Sequence, residues 1–210
     1  MDCRNHMPFP IISKQHPLIL ASASPRRKRL LMQMGLPFRV EPSDLDEKEM
    51  GDEPLQISRV LAEKKAVRVY SLAGSSWILG ADTIVVIKNR ILGKPRDEAE
   101  AREMLRLLSG DEHAVVTGFC ILNPLGEIAH SEAVSTAVRF KGLEKEEIEA
   151  YISTGEPFGK AGAYAIQGVG SFMVESISGS YTNVVGLPIC AVIKALLSTG
   201  ALKTFPLPSA

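Results

Sequence analysis

The amino-acid sequence predicts an α/β fold with a mixed β-sheet. Short apolar runs typical of strands alternate with segments of helical periodicity along most of the chain. In the middle of the chain, two pairs of such strands are joined by short turns, as expected for antiparallel hairpins. A chain of 210 residues is long enough to bury the core of one domain or of two closely joined lobes.

The first elements form a predicted strand–helix–strand unit. A strand is expected over residues 18–21 and another over residues 38–40. Between them, Ser24 is a favourable N-cap residue and Pro25 suits the first helical position. Gly35 is placed to end this helix, because glycine adopts the left-handed conformation that often follows a helix.

The next segment alternates between helix and hairpin. Residues 54–72 have apolar positions with helical spacing and predict the second helix. A strand should follow over residues 77–87, with an interruption at residues 80–83. Residues 88–90 are a predicted hairpin turn, which leads into the extended segment 91–95.

A third helix is expected after Asp97, with Glu100 completing a capping box and Gly110 ending the helix. Residues 114–122 and 128–140 should form a second, longer hairpin.

The last part of the chain is predicted as two helices separated by a long loop system. The helices are expected over residues 144–154 and 187–197, the second with Pro188 in its first turn. The glycine-rich stretch 155–186 between them has little helical periodicity. Because loops of this length in compact domains usually serve binding, we expect this stretch to be functional.

Composition indicates an ordinary globular protein without an overall charge bias. The chain is 45% hydrophobic and 23% charged, and its 24 basic side chains balance 24 acidic ones. This balance argues against broad electrostatic binding to nucleic acid or to an anionic membrane. No run approaches the roughly 18 apolar residues of a membrane helix. Three scattered cysteines favour reduced thiols, no zinc site and a cytoplasmic location.

The chain is expected to consist of one domain with two tails. Residues 1–16 carry charges and prolines but no long apolar segment, so they are predicted to be a flexible N-terminal tail rather than a signal peptide. The domain should span residues 17–200, and residues 201–210 should form a C-terminal tail.

Four consecutive cations, residues 26–29, open the first predicted helix. Each exposed cation in a first turn opposes the helix dipole, at a cost of about 0.3–1 kcal/mol. The arrangement is favourable if an anion such as phosphate binds there, because free N–H groups and basic side chains then converge on it. The alternative is a solvated basic patch on an exposed helix.

Asp82 lies within the strongly apolar strand predicted over residues 77–87. A carboxylate there costs several kcal/mol, on the order of 2–7, unless it is paired, bound to a metal or open to a cleft. Asp82 is therefore a candidate general base or metal ligand. The alternative is a structural aspartate in a turn beside Gly80.

Four further candidates each have an ordinary alternative. Lys94 follows Gly93, which would let the backbone approach a ligand, but a solvated loop lysine is equally typical. Lys65 could be a charge on a helix surface, and Glu47 could belong to an acidic loop rather than to a metal site. Gln167 could hydrogen-bond a nucleotide base edge or the loop backbone.

Five segments together resemble the Maf family of nucleoside triphosphate pyrophosphatases. In the order found in that family, they are residues 20–27, 80–83, 92–95, 160–168 and 179–188. The resemblance extends from about residue 18 to residue 197. It implies a mixed, twisted sheet flanked by helices, in two lobes with a central cleft. Homodimers are common in the family, although no segment of this sequence specifies an interface.

The resemblance also implies a reaction. The family uses a divalent metal to hydrolyse the α–β phosphoanhydride of nucleoside triphosphates, which gives a nucleoside monophosphate and pyrophosphate. We therefore expect Mg²⁺ or Mn²⁺ as the cofactor. By position, Ser22, Arg26 and Arg27 would hold phosphates at the helix N-terminus, and Lys65 and Lys94 would add positive charge from other segments.

The remaining matches concern catalysis and substrate choice. Asp82 matches the catalytic base and Glu47 its partner at the metal site, although the sequence leaves open whether Asp82 is base or metal ligand. The combination of Arg26, Thr83 and Gln167 resembles that of the family branch that prefers dTTP and UTP. This resemblance also implies hydrolysis of modified pyrimidine triphosphates. The alternatives are a non-catalytic, nucleotide-binding regulator of cell division and a house-cleaning hydrolase for purine nucleotides.

Overall fold

The structure, a computed structural model, describes residues 9–43 and 53–207. The strands are β1 (Leu18–Leu20), β2 (Phe38–Val40), β3 (Ile78–Ile87), β4 (Arg90–Leu92), β5 (Glu112–Leu122), β6 (Ile128–Phe140) and β7 (Val174–Ser178). The helices are α1 (Pro25–Gln33), α2 (Pro54–Ala73), α3 (Glu98–Leu108), α4 (Lys145–Ser153), α5 (Tyr181–Val185) and α6 (Ile189–Ser198). Helices and strands alternate in the first half of the chain, as predicted.

The strands of the described chain form one mixed sheet in the order β2–β1–β3–β5–β6–β7, with β4 paired to β3. Strand β1 is parallel to both β2 and β3, whereas the other pairings are antiparallel. The predicted α/β fold with a mixed, helix-flanked sheet is therefore confirmed.

One edge of β3 is only partly covered by neighbouring strands. Strand β5 pairs with β3 along residues 78–86 and occupies its other edge. On the open edge, β1 pairs with β3 at Ile78 and Leu79, and β4 pairs with residues 85–87. Within the described part of the chain, residues 80–84 thus have no strand beside them on that edge. A cleft can open there.

The two faces of the sheet are covered differently, because successive strand residues point to opposite faces. Helix α2 covers one face and packs its Ala62, Ala66 and Val69 against buried strand residues such as Ile78. Helices α1 and α6 cover one part of the opposite face, in a cluster that includes Leu31 from α1. Helices α3 and α4 pack on the remaining part of that face, in a second cluster.

The structure corrects the prediction for β3 and for the glycine-rich stretch 155–186. Strand β3 is continuous through residues 80–83, because β5 pairs with it along this segment. The stretch 155–186 is not irregular throughout, since it contains β7 and the short helix α5. Pairing of β7 with β6 is a long-range contact, which local sequence periodicity does not reveal.

Two helix starts also differ from the prediction. Asp97 caps α3 as predicted, but the Glu100 carboxylate accepts the N–H of Arg96 and so does not complete a capping box with Asp97. Helix α6 begins at Ile189, with Pro188 at the N-cap rather than within the first turn.

Parts of both predicted tails contact the domain and each other. The Trp77 indole Nε1 donates to the carbonyl oxygen of Pro10 at 2.8 Å, and the Ile12 N–H donates to the carbonyl oxygen of Ala201 at 2.9 Å. Ile12 and Leu202 are buried in the cluster beneath α1 and α6. The domain limits at residues 17 and 200 stay a prediction. Among the helices of the described ranges, none has the length and apolar character needed to cross a bilayer.

Candidate active site

A cavity of about 430 Å³ brings the predicted site residues together. Eight of the nine candidate residues line this cavity: Ser22, Arg26, Arg27, Lys65, Asp82, Thr83, Lys94 and Gln167. The ninth, Glu47, lies outside the described residues. The cavity adjoins both clusters on the α1 face, since Val185 of one and Tyr164 of the other also line it.

The uncovered edge of β3 explains how Asp82 and Thr83 reach the same cavity. As neighbours in a strand, their side chains point to opposite faces of the sheet. Because no described strand lies beside residues 80–84 on this edge, the cavity extends around the edge and is lined from both faces. The alternative of a turn aspartate is wrong, since Asp82 lies within a continuous strand opposite Gly118 of β5.

Asp82 forms a buried ion pair with Lys65 of α2. The Lys65 Nζ lies 2.5 Å from the Asp82 Oδ1, and the two residues are 6% and 5% exposed. The pairing explains how an apolar strand tolerates a carboxylate, because a buried charge without a partner would be strongly destabilising. The alternative of a helix-surface charge for Lys65 is also wrong, because this side chain is buried.

Two glycines bring α2 close enough for this pairing. A Cβ atom at Gly80 would overlap the backbone oxygen of Ala62, and one at Gly118 would overlap the backbone of Ser58. Both neighbours belong to α2, which therefore packs directly on the sheet backbone at these positions. This close packing places Lys65 over Asp82.

Arg27 is buried and held in a hydrogen-bond network between α1 and β3. Its Nε donates to the carbonyl oxygen of Gly186 at 2.8 Å, its Nη1 to the Ser22 Oγ at 2.9 Å and its Nη2 to the Thr83 Oγ1 at 3.0 Å. The Thr83 Oγ1 is also 2.9 Å from the Thr117 Oγ1. Arg27 thus joins three segments of the cavity wall, and its direct contact with phosphate stays a prediction.

The other three cations of α1 have different surroundings. Arg26 is half-buried and lines the cavity, whereas Lys28 and Arg29 are exposed. Burial lowers the pKa of Arg26 below its ordinary value, an effect that Tyr151 partly offsets. Arg26 and Arg27 therefore differ in burial from the exposed Lys28 and Arg29.

Lys160 is a cavity residue that the sequence reasoning missed. It lies within the segment 160–168, in which only Gln167 was singled out. The Lys160 Nζ donates to the carbonyl oxygen of Glu156, and its pKa is lowered by burial and then by the positive charge of Arg26. An anion bound at this wall would favour the charged form of Lys160 beside Arg26.

Lys94 reaches the cavity from the segment that follows β4. It is exposed, and the carbonyl oxygen of the preceding Gly93 accepts the N–H of Gly162 at 3.0 Å. This bond ties the Lys94 segment to the loop that carries Lys160 and Gln167. The cavity thus receives positive charge from several walls.

Asp82 is the only acidic residue among the described residues that line the cavity. The described ranges contain no group of three or more histidine, cysteine, aspartate or glutamate residues that could hold a metal ion. Magnesium typically keeps several waters and needs only one or two protein carboxylates when substrate phosphates supply further oxygens. The donor set therefore fits a cation bound mainly by substrate and water, with Asp82 as a protein ligand.

Comparison with known proteins assigns the family. The model of the family described as Maf-like protein matches residues 17–199, which is nearly the whole chain. The chain belongs to the Maf-like family. The resemblance inferred from its five motifs is thereby confirmed.

Two similar proteins match along most of their length. A dTTP/UTP pyrophosphatase of Citrifermentans bemidjiense is 53% identical over 190 residues, which cover 90% of this chain and 98% of that protein. A dTTP/UTP pyrophosphatase of Syntrophotalea carbinolica is 49% identical over 191 residues, with coverages of 90% and 87%.

A solved structure with detectable similarity is the nucleoside-triphosphatase / dITP/XTP pyrophosphatase of Mycobacterium abscessus. Its sequence is 16% identical to this chain, and the TM-score of the superposition is 0.36. The matched region covers 59% of this chain and 74% of that protein's chain. A likeness this low supports no argument about the site.

Proposed function

We propose that this protein hydrolyses the α–β phosphoanhydride of dTTP and UTP, giving the nucleoside monophosphate and pyrophosphate. The observation that carries the proposal is the cavity in which one carboxylate, Asp82, faces several basic side chains from separate segments. Its volume of about 430 Å³ is within the usual range for small-molecule sites. The names of the relatives at about 50% identity support the same reaction and substrates.

The basic side chains would bind and orient the triphosphate. Phosphoryl transfer depends mainly on positioning and on stabilising negative charge at the phosphate oxygens. Arg26 would contact phosphate at the N-terminus of α1, with Ser22 and Arg27 forming the adjoining wall. Lys65 and Lys94 would approach from α2 and from the segment after β4, and would stabilise the departing pyrophosphate.

Asp82 would act on the attacking water. Its carboxylate either orients the water or accepts its proton while the water oxygen bonds to phosphorus and the bond to the bridging oxygen breaks. Lys65 holds the carboxylate in place through the 2.5 Å ion pair. We expect Mg²⁺ or Mn²⁺ to be bound by Asp82 and by Glu47, where it would supply charge stabilisation for the phosphate oxygens.

Arg26, Thr83 and Gln167 would determine the preference for pyrimidine nucleotides, including modified ones. Thr83 and Gln167 line the same cavity as Arg26, from β3 and from the loop after α4. A glutamine amide offers both a donor and an acceptor to a base edge. We therefore expect the Arg26→Ala variant to lose base discrimination as well as turnover.

The test is release of pyrophosphate from dTTP, UTP, CTP, GTP and ITP, measured with Mg²⁺ and with Mn²⁺. We expect dTTP and UTP to be the best substrates, and the Asp82→Asn variant to lose roughly 10²–10⁴-fold in kcat. Asp97→Asn is the matched control, because Asp97 is an exposed N-cap residue of α3 and asparagine caps helices equally well.

Three results would contradict the proposal. Metal-dependent turnover retained by a folded Asp82→Asn variant would remove the role of Asp82. Nucleotide binding by the unmodified protein without pyrophosphate release would favour a non-catalytic regulator. Preference for ITP or GTP would indicate a purine-directed hydrolase.

A further inference from the structure

The loop that carries Gln167 is held by a half-buried carboxylate, Glu156, that does not line the cavity. The Oε1 of Glu156 accepts the Tyr151 hydroxyl at 2.9 Å and the Gly170 N–H at 2.8 Å. Its Oε2 accepts the Val169 N–H at 3.0 Å. One side chain thus links helix α4 to the loop on the C-terminal side of Gln167.

The Tyr151 hydroxyl extends this link to the other side of Gln167. It accepts the N–H of Ala165 at 3.3 Å while it donates to Glu156. Ala165 precedes Gln167 by two residues, and Val169 follows it by two. The backbone is therefore fixed on both sides of the proposed base-contacting residue.

Two glycines are required for this arrangement. Gly168 has a φ of +90°, and a Cβ atom there would overlap the Glu156 carboxylate. A Cβ atom at Gly170 would lie 2.7 Å from the Tyr151 hydroxyl oxygen and 2.6 Å from the Ala165 carbonyl oxygen. The loop is thus shaped around the carboxylate and the hydroxyl.

The Glu156 carboxylate is stabilised in its charged form. Burial by itself would raise its pKa, but the N–H groups of Gly170 and Val169 and the Tyr151 hydroxyl together hold the pKa below its usual value. Hydrogen bonds to a charged acceptor are about twice as strong as those between neutral groups. The hydrogen bonds that hold the loop therefore belong to this stronger class, because their acceptor is a charged carboxylate.

We propose that Glu156 and Tyr151 are positioning residues that set the location of Gln167 and thereby the selectivity for pyrimidine nucleotides. The inference rests on the proposed function, because it assumes that Gln167 contacts the base. Neither residue needs to touch the substrate. Asp82 and Lys65 belong to β3 and α2, so loosening this loop should affect base recognition more than the chemical step.

The test uses Glu156→Gln in the full-length protein, since glutamine keeps the size but turns part of the acceptor into a donor facing N–H groups. We expect KM for dTTP and UTP to rise about tenfold, which corresponds to about 1.4 kcal/mol. The kcat/KM ratio of UTP to CTP should fall by a similar factor, with kcat for UTP changed less than about threefold. Tyr151→Phe should act in the same direction.

Glu149→Gln is the matched control, the same substitution on helix α4, which also carries Tyr151. Glu149 forms a two-point pair with Arg102 of α3, at 2.5 and 2.6 Å, and does not line the cavity. This variant should keep the KM values and the selectivity of the unmodified protein. Hydrogen exchange provides a second readout, in which backbone amides of residues 165–170 should exchange faster in Glu156→Gln than in Glu149→Gln.

The outcomes separate this inference from the proposed function. An unmodified protein that releases no pyrophosphate from dTTP or UTP overturns the proposed function. An active and selective protein whose folded Glu156→Gln variant keeps the same selectivity overturns the positioning role alone. An equal loss of kcat for every nucleotide, without a change in KM or in selectivity, also overturns it and indicates a general structural effect.

Discussion

The neighbouring arginines Arg26 and Arg27 of α1 differ in burial and in hydrogen bonding. Arg26 is half-buried at the cavity, where burial lowers its pKa. Arg27 is 7% exposed and donates to Ser22, Thr83 and Gly186. A guanidinium suits this position, because its planar set of N–H groups can serve three acceptors in fixed directions.

We therefore expect Arg27→Lys to be strongly destabilising although the charge is kept. A lysine cannot reach all three acceptors in this geometry, so at least one buried hydrogen bond is lost. The free energy of unfolding should fall by about 2 kcal/mol, measured by urea denaturation. Arg29→Lys, the same change at an exposed position of α1, should stay within about 0.5 kcal/mol of the unmodified protein. Equal stability of the two variants would contradict the structural role of Arg27.

At the scale of elements, the site depends on two features of the sheet. The uncovered edge of β3 between β1 and β4 lets the cavity reach both Asp82 and Thr83. Glycines on β3 and β5 allow α2 to lie directly on the sheet backbone, which places Lys65 over Asp82. The second feature makes the Lys65–Asp82 ion pair dependent on the packing of a whole helix.

Gly118→Ala should test this dependence. The added Cβ would overlap the α2 backbone at Ser58, so the helix must shift. We expect a loss of roughly 1–3 kcal/mol in the free energy of unfolding, together with slower pyrophosphate release because Lys65 moves with α2. Gly142→Ala is the control, since a Cβ atom there would have no neighbour within 4 Å. An unaffected Gly118→Ala variant would show that α2 does not need this close approach.

Over the whole molecule, charge and burial are distributed unevenly. The chain has no net charge, yet basic residues outnumber the single carboxylate among the described residues of the cavity wall. Behind this wall, His113 is buried between Phe140 and Tyr164. Its Nε2 lies 2.8 Å from the Tyr164 hydroxyl oxygen, and its Nδ1 has no hydrogen-bond partner among the described residues.

This histidine should make the fold sensitive to acid. Burial lowers the pKa of His113 to about 4, an effect that Asp111 partly offsets, whereas an unfolded histidine titrates near pH 6.5. Between these values the unfolded chain binds more protons than the folded one, so the free energy of unfolding falls as the pH falls from about 6.5 to about 4. The loss should total about 3 kcal/mol.

The measurement is urea denaturation at a series of pH values. His113→Gln should flatten the dependence within this range, while His16→Gln, at an exposed histidine, should leave it unchanged. An unaltered profile in a folded His113→Gln variant would assign the acid sensitivity to other groups.

The sequence by itself determined the fold class, the family and eight of the residues that line the cavity. Apolar alternation and turn residues are local signals, and strands such as β2 and β6 follow them residue for residue. The candidate residues can be recognised without the fold. A run of cations at a helix start and a carboxylate in an apolar strand are unfavourable unless they have a partner or a ligand, and both are visible in the sequence.

The tertiary structure decided which residues pair. Lys65 pairs with Asp82, and Arg27 rather than Arg26 forms the buried hydrogen-bond network. Strand β7 pairs with β6 at the edge of the sheet. The tertiary structure also brought Glu156 and Tyr151 to the loop that carries Gln167. The physical reason is that these contacts join segments far apart in the chain, whereas periodicity and capping report only on neighbouring residues.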